Sequence, residues 1–225
     1  QALALFDFST APLRECAVQS ERTLAVIKPP CEPAPTAPVP AGPTPPPRRK
    51  PHAHSQNPPA VDTRAPILRL TGVDRIAVHG SSDSLAQTIL AEMGTEMSTW
   101  PDEKHLCAWL DLAPKHDMSG GTVRKSRPMK HRNRATQAFR MAAQSVSRSH
   151  GAFGASYRRM KGRLGPAQAL VATTHKIART VYHMLKNRVQ YHDIGETEYN
   201  HQFREREMRY LQKNAAQLGY TLSPA

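Results

Sequence analysis

The chain has 225 residues and carries 31 Lys+Arg against 18 Asp+Glu, a formal net charge of +13. That balance points to a polyanionic partner or an anionic membrane surface, and 39% hydrophobic with 6% aromatic residues leaves a modest core. No apolar run approaches the roughly 18 residues that a membrane span needs.

Residues 1–28 read as one helix, with Leu3, Phe6, Leu13, Ala17, Ser20, Leu24 and Ile27 near three-four spacing and Pro12 interrupting it. Two readings fit: an amphipathic helix on a core, or the returning arm of a coiled coil. Gln1 stands where a start Met is expected, so the chain is read as a fragment, and Gln1 to Phe8 lack the basic n-region of a secretory signal. Cys16, Cys31 and Cys107 are widely spaced, which predicts a reducing cytoplasmic setting with no disulfide framework and no zinc site.

Residues 29–66 hold fourteen of the twenty prolines, so they are expected to form an extended linker. A spacer role and a PxxP docking role both fit. Arg48, Arg49 and Lys50 add loose phosphate affinity, and His52 and His54 read as solvated linker histidines.

A mostly α-helical domain is expected over residues 67–192, followed by an amphipathic helix and tail over 193–225. Leu85, Ile89, Leu90 and Met93 mark a helix ending at Gly94. Pro101 opens another, with Leu106, Trp109 and Leu110 inward, and Pro114 closes it. Residues 115–133 read as loop. Asn133 caps a helix whose inner face is Ala135, Ala138, Phe139, Ala142 and Val146. Phe153, Tyr157, Met160 and Leu164 form a short stripe. Pro166 suits N1 of a long helix reaching about Tyr191, with Leu170, Thr174, Ile177, Val181 and Leu185 inward. A last helix runs from about Thr197 to Leu218 with Tyr199, Phe203, Tyr210 and Leu211, and Gly219 follows as C′.

Charge placement is the sharpest signal. No carboxylate falls within residues 118–192, which hold 16 Lys and Arg from Arg124 to Arg188. A solvated face mixes both signs, whereas phosphate neutralisation favours one. The binding set predicted on this basis is Arg124, Lys125, Arg127, Lys130, Arg132, Arg134, Arg140, Arg158, Arg159, Lys161, Lys176 and Arg179. Phe153, Tyr157, Tyr182 and His175 are placed either to stack on bases or to fill the core.

Met118-Ser119-Gly120-Gly121 precedes the first of these cations. Gly120 and Gly121 permit close backbone approach to a phosphate, and a simple turn fits equally. Gly80, leading into the helix at Leu85, resembles the second half of a helix-hairpin-helix that grips DNA backbone. Asp102, Glu103, Asp111 and Asp117 read as surface and capping residues rather than a metal cluster.

Several ordered blocks carry a closer resemblance: Leu70-Thr71-Gly72-Val73-Asp74, Ala86 to Gly94, Trp100-Pro101, Lys104-His105-Leu106, Leu112-Ala113-Pro114-Lys115, Ser119-Gly120-Gly121, and Gly165-Pro166 through Arg179. Over about residues 67–222 the chain resembles the bacterial insertion-sequence 110/116/902 transposases. Leu13-Arg14-Glu15-Cys16 is similar to that family's interdomain coiled coil. The resemblance implies a C-terminal transposase domain, a role in DNA transposition and recombination, DNA and a structured guide RNA as partners, a homo-oligomer, and a bacterial cytoplasmic, nucleoid-associated location. It implies Ser119 as nucleophile. It also implies an N-terminal RuvC-like domain whose DEDD tetrad holds Mg2+; that domain lies outside this sequence, and no cofactor is expected on this chain itself. The sequence departs from the family pattern at Asp111 (glycine in the family), Thr122 (lysine), and Ser81 and Ser84 (apolar). The expectation is therefore a truncated copy that binds nucleic acid and is inactive alone. A small basic RNA-binding protein of ribosomal type is the other reading.

Overall fold

The computed structural model describes residues 2–27, 64–74, 78, 80, 82–128 and 133–222. Most of the expected Pro-rich linker, with Arg48 to His54 and Cys31, lies outside the described residues, as do Ser81, Lys130 and Arg132. The fold is mostly α-helical. In chain order it runs α1 (Ala2–Val26), α2 (Arg64–Thr71), α3 (Asp83–Met93), α4 (Glu103–Trp109), β1 (Pro114–Ser119), β2 (Thr122–Pro128), α5 (Arg134–Val146), α6 (Ala152–Leu164), α7 (Pro166–Asn187) and α8 (Gly195–Gln217).

α5 is the centre of the core. Ala135, Ala138, Phe139, Ala142, Ala143 and Val146 are all buried, as the three-four spacing predicts. Its start is fixed by Asn133, whose side-chain oxygen accepts from the Ala135 N–H at 2.8 Å. One side packs on α3 and the other on α7. The buried Thr136 hydroxyl donates to the Leu110 carbonyl at 2.8 Å and so ties α5 to the end of α4. Along α7, Thr173 and Thr174 lie buried, and each donates its hydroxyl at 2.8 Å to the carbonyl four residues back. That bond satisfies a buried polar group without an outside partner. Beside them Gly154, Ala155 and Ser156 of α6 are buried, and these small side chains let α6 and α7 approach closely.

A smaller cluster joins the N-terminal helix. Ile67 and Leu70 of α2 meet Ala86 and Leu90 of α3, with Leu24 of α1 against them. Arg69 donates to the carbonyls of Leu24 (2.6 Å) and Ala25 (3.0 Å), placing a cation at the C-terminus of α1. Pro12 sits inside α1 without ending it.

Several sequence expectations are corrected. Trp109 is 40% exposed; Cys107 takes the inward position on that turn, and Trp109 leans on Trp100 at 5.4 Å. Of the 153–164 stripe only Phe153 is buried, because α6 turns its small residues inward and leaves Leu164 exposed. α7 stops at Asn187, where Arg188 takes the left-handed conformation, short of the expected Tyr191. α8 buries no residue, and Tyr210 and Leu211 are exposed. Residues 115–128 are a hairpin, not a loop.

The end of α4 explains the glycine-to-Asp departure. Leu112 N–H bonds the Cys107 carbonyl at 2.9 Å and Asp111 N–H bonds the Ala108 carbonyl at 3.0 Å, the paired closure of a Schellman cap. The residue at C′ must then be left-handed, and Asp111 has φ 54°. Glycine adopts that conformation freely, while aspartate pays for its Cβ. Asp111→Gly should raise stability by about 1 kcal/mol in urea unfolding; a lower midpoint at unchanged slope would contradict this account.

Candidate nucleic-acid interface

The hairpin carries the first candidate group. β1 and β2 pair antiparallel, with Ser119 opposite Thr122, Met118 opposite Val123, Asp117 opposite Lys125 and Lys115 opposite Arg127. Gly120 and Gly121 are the two turn residues, with φ 59° and 75°. Two consecutive positive φ values give the primed turn whose twist matches a hairpin, and Gly-Gly supplies them without strain. The register slips between Asp117 and Met118, so Arg124 has no partner across the ladder. Ser119, Gly120, Gly121, Thr122, Val123 and Arg124 are all exposed. The Ser119 hydroxyl has no hydrogen-bond partner among the described residues, so no general base is held on it. The tip can accept an anion against its backbone and beside Arg124; deprotonating Ser119 requires a group from elsewhere.

The acid-free block meets carboxylates from outside it. Glu103 of α4, with its side chain 17% exposed, pairs with both Arg179 and His183 of α7. Glu196 of α8 holds Arg158 at 2.6 Å and His150 at 3.4 Å. Glu92 of α3 lies 3.7 Å from Arg134. Lys186 donates to the Pro101 carbonyl and the Tyr182 hydroxyl, each at 2.8 Å. Among the described residues Arg159 and Lys176 pair with no carboxylate; they face aromatic rings of α8. That leaves Arg124, Arg140, Arg148, Lys161, Arg163 and Arg188 with neither an ion pair nor a side-chain hydrogen bond among the described residues. The structure thus brings Arg158, Arg159 and Lys176 together at α8. Arg179 is tied to α4, and Ser119 and Arg124 sit on the hairpin, whose main contact is its own second strand.

Other predicted groups have identifiable structural work. Gly80 has φ 87°, and a Cβ there would lie 2.4 Å from Val146 Cγ2 and 2.5 Å from the Ala142 carbonyl, so Gly80 lets its turn rest on α5. Ser82, two residues on, caps α3. Ser84 is exposed, so a polar residue there needs no buried partner. Tyr182 is buried and donates to the Trp100 carbonyl at 3.0 Å, and Phe153 is buried and stacked on Tyr191 at 5.6 Å; neither ring is open to a base. Asp102 caps α4, accepting from Lys104 and His105 N–H groups at 2.8 and 2.9 Å. Among the described residues no three His, Cys, Asp or Glu side chains are grouped to hold a metal.

Sequence reading missed the Glu103 centre, because its partners lie eighty residues away on α7. The Arg179 guanidinium, then His183, hold the Glu103 carboxyl below the usual carboxylate range against the opposing effect of burial. Burial pushes the nearby Cys107 thiol up to about 11, so it stays protonated and inert at neutral pH. Burial, with Arg179, lowers the His175 imidazole. A depressed carboxylate pKa contributes stability that is complete above the unfolded value of 4.5 and is lost as pH falls through the folded value. The melting-temperature gap between the native chain and Glu103→Gln should therefore be constant near neutrality and shrink below about pH 4.5; a gap that widens on acidification would reverse the assignment. For Gly80→Ala, the overlap with α5 predicts a loss of about 2–3 kcal/mol in urea unfolding. An Ala variant of native stability would return Gly80 to the list of ligand-contacting residues.

Residues 77–158 match the model of the Transposase IS116/IS110/IS902 family. The matched segment spans α3 to the first half of α6 and includes the Ser119 hairpin. It supports an IS110-family transposase C-terminal domain. Neither a curated relative nor a solved structure matches the chain.

Proposed function

We propose that this chain is the nucleic-acid-binding C-terminal part of an insertion-sequence transposase and that it presents Ser119 to a DNA phosphodiester. The observation that carries the reading is the exposed Ser119-Gly120-Gly121 turn with the unmatched Arg124 beside it, inside the segment that matches the family. In the reaction, Ser119 Oγ bonds to phosphorus, a deoxyribose oxygen leaves, and the serine proton passes to a base. The guanidinium of Arg124 offsets charge on the phosphoryl oxygens. The turn backbone, free of Cβ atoms at Gly120 and Gly121, admits the phosphate closely.

The described residues supply neither that base nor a metal cluster, so the chain acts as the DNA-holding half of a composite site. A metal-bearing RuvC-like domain, a guide RNA and a homo-oligomer belong to this proposal through the family resemblance, as does a bacterial cytoplasmic setting. Residues 67–192 form the binding unit of this proposal, with 193–225 appended as helix α8 (Gly195–Gln217) and a tail. A purely nucleic-acid-binding, non-catalytic role is the second reading, favoured by a Ser119 hydroxyl with no hydrogen-bond partner among the described residues.

Both readings require phosphate contact, and salt dependence measures it. Among the described residues six cations lack partners, and these alone set a log–log slope for duplex DNA of about −5, at roughly −0.9 per phosphate. Arg124→Ala should flatten the slope by about 0.9. A slope near zero would overturn both readings. With a DEDD domain supplied in trans, Ser119→Ala should abolish strand exchange while duplex affinity stays within about twofold; undiminished exchange would leave only the binding role.

A further inference from the structure

α8 is 23 residues long and buries none of them, and its principal contact is α6. Its hold on the domain is made almost wholly on cations. Phe203 lies under the Arg159 guanidinium, 3.3 Å from Cζ to the ring centroid, and Tyr199 is 5.5 Å from the same group. The Lys176 ammonium stands 4.6 Å from the Tyr199 ring and 3.3 Å from the Ser156 hydroxyl. Asn200 Oδ1 accepts from Arg159 at 3.1 Å, and Glu196 holds Arg158 at 2.6 Å and His150 at 3.4 Å.

These are the interactions that an unpaired nucleic-acid strand offers. A flat π-face on a guanidinium is what an unstacked base provides, and an anionic oxygen on an arginine is what a phosphate provides. A duplex keeps its base faces stacked and cannot offer the first.

Resting on the nucleic-acid reading above, we propose that the α6–α7 surface formed by Arg158, Arg159, Lys176 and Ser156 is a binding site for single-stranded nucleic acid, and that the Glu196–Phe203 segment of α8 is its built-in occupant. A strand enters by displacing α8, its bases replacing Phe203 and Tyr199 and its phosphates replacing Glu196.

Two further features favour an anionic ligand there. The Arg159 Nη1 is buried and has no hydrogen-bond partner, a donor that the α8 rings face but no acceptor satisfies while α8 is docked. Although burial raises the Tyr199 phenol, the Ser156 hydroxyl and the charges of Lys176, Arg159 and Arg206 outweigh it and bring it below its ordinary value. Displacing α8 costs little core, because none of its residues is buried.

The test compares the native chain with Glu196→Gln/Tyr199→Ala/Phe203→Ala, using fluorescein-labelled oligo(dT), oligo(U) and a duplex in anisotropy titrations. The triple variant should bind single strands at least about tenfold more tightly. Its salt slope should steepen by about 2, for three uncovered cations at roughly 0.7 each. Duplex affinity should change less. Arg159→Ala in the same background should remove most of the gain. Glu196→Gln alone leaves the aromatic contacts in place and should shift affinity in the same direction by a smaller factor, so the test survives if the triple variant folds poorly. A gain shared by oligo(dT) and oligo(U) fits a site reading bases and phosphates; a gain with one only assigns the strand as DNA or RNA. Equal single-strand binding by native and variant chains would overturn the proposal and leave the basic surface standing. An equal gain with duplex would overturn the single-strand assignment. Absence of binding to any nucleic acid by either chain would overturn both.

Discussion

The burial of α5 between α3 and α7 is the constraint from which the rest of the fold follows. A helix covered on two sides can carry only small or well-fitted apolar side chains at its contacts, and α5 meets that with alanines around Phe139 and Val146. Everything placed against it is then restricted. The turn before α3 must close over Ala142 and Val146, which leaves room for Gly80 and not for a side chain. The end of α4 must come close enough for Leu110 to receive the Thr136 hydroxyl, which forces the tight Schellman closure at Asp111. The glycine at one site and the strain at the other are both consequences of how near the backbone comes to α5.

The same packing decides where charge can be satisfied. Residues 118–192 contribute three of the packed helices and no carboxylate, so any counter-charge must arrive from elements on either side in sequence. α3, α4 and α8 each deliver one glutamate: Glu92, Glu103 and Glu196. Those three pairings are unequal. Glu103 is the most enclosed and the only one bridging two basic side chains of α7, so it fastens α4 to the core. The pairs at Glu92 and Glu196 are more exposed, and exposed ion pairs contribute little. The block's charge is therefore partly structural at α7 and largely available elsewhere. A count of charges along the sequence overstated the free surface, because it could not see across the fold.

Legibility followed contact range. The inner face of α5, the Asn133 cap, the start of α7 at Pro166 and the stop of α3 at Gly94 were readable because each rests on residues within a few positions of one another. Trp109 and the 153–164 stripe misled because a large apolar residue at helical spacing reads as core, whereas α6 needed small residues to approach α7. The hairpin was hidden by its composition: polar strands with no apolar alternation read as loop, although the Gly-Gly pair is itself a hairpin signal. Glu103 with Arg179 and His183, and Asp193 accepting from the Ala152 N–H at 3.0 Å, join distant segments and had no local trace.

The hairpin's independence from the core bears on what this chain can do. Ser119 and Arg124 stand on two strands that pair mainly with each other, and the Gly120-Gly121 turn has open space around both Cα atoms. Ser119 to Arg124 are all exposed, so these residues can change without cost to the α3–α5–α7 core. That makes the tip a part whose geometry is set by its own hairpin and completed by whatever docks on it. The α6–α7 cations are the opposite case: they are positioned by packed helices and already engaged by α8. The helix-borne cations and the serine turn thus sit on separate parts of one chain, the first positioned by packed helices and the second by its own hairpin. A change at the turn would leave the helix-borne cations in place, because the strands pair mainly with each other.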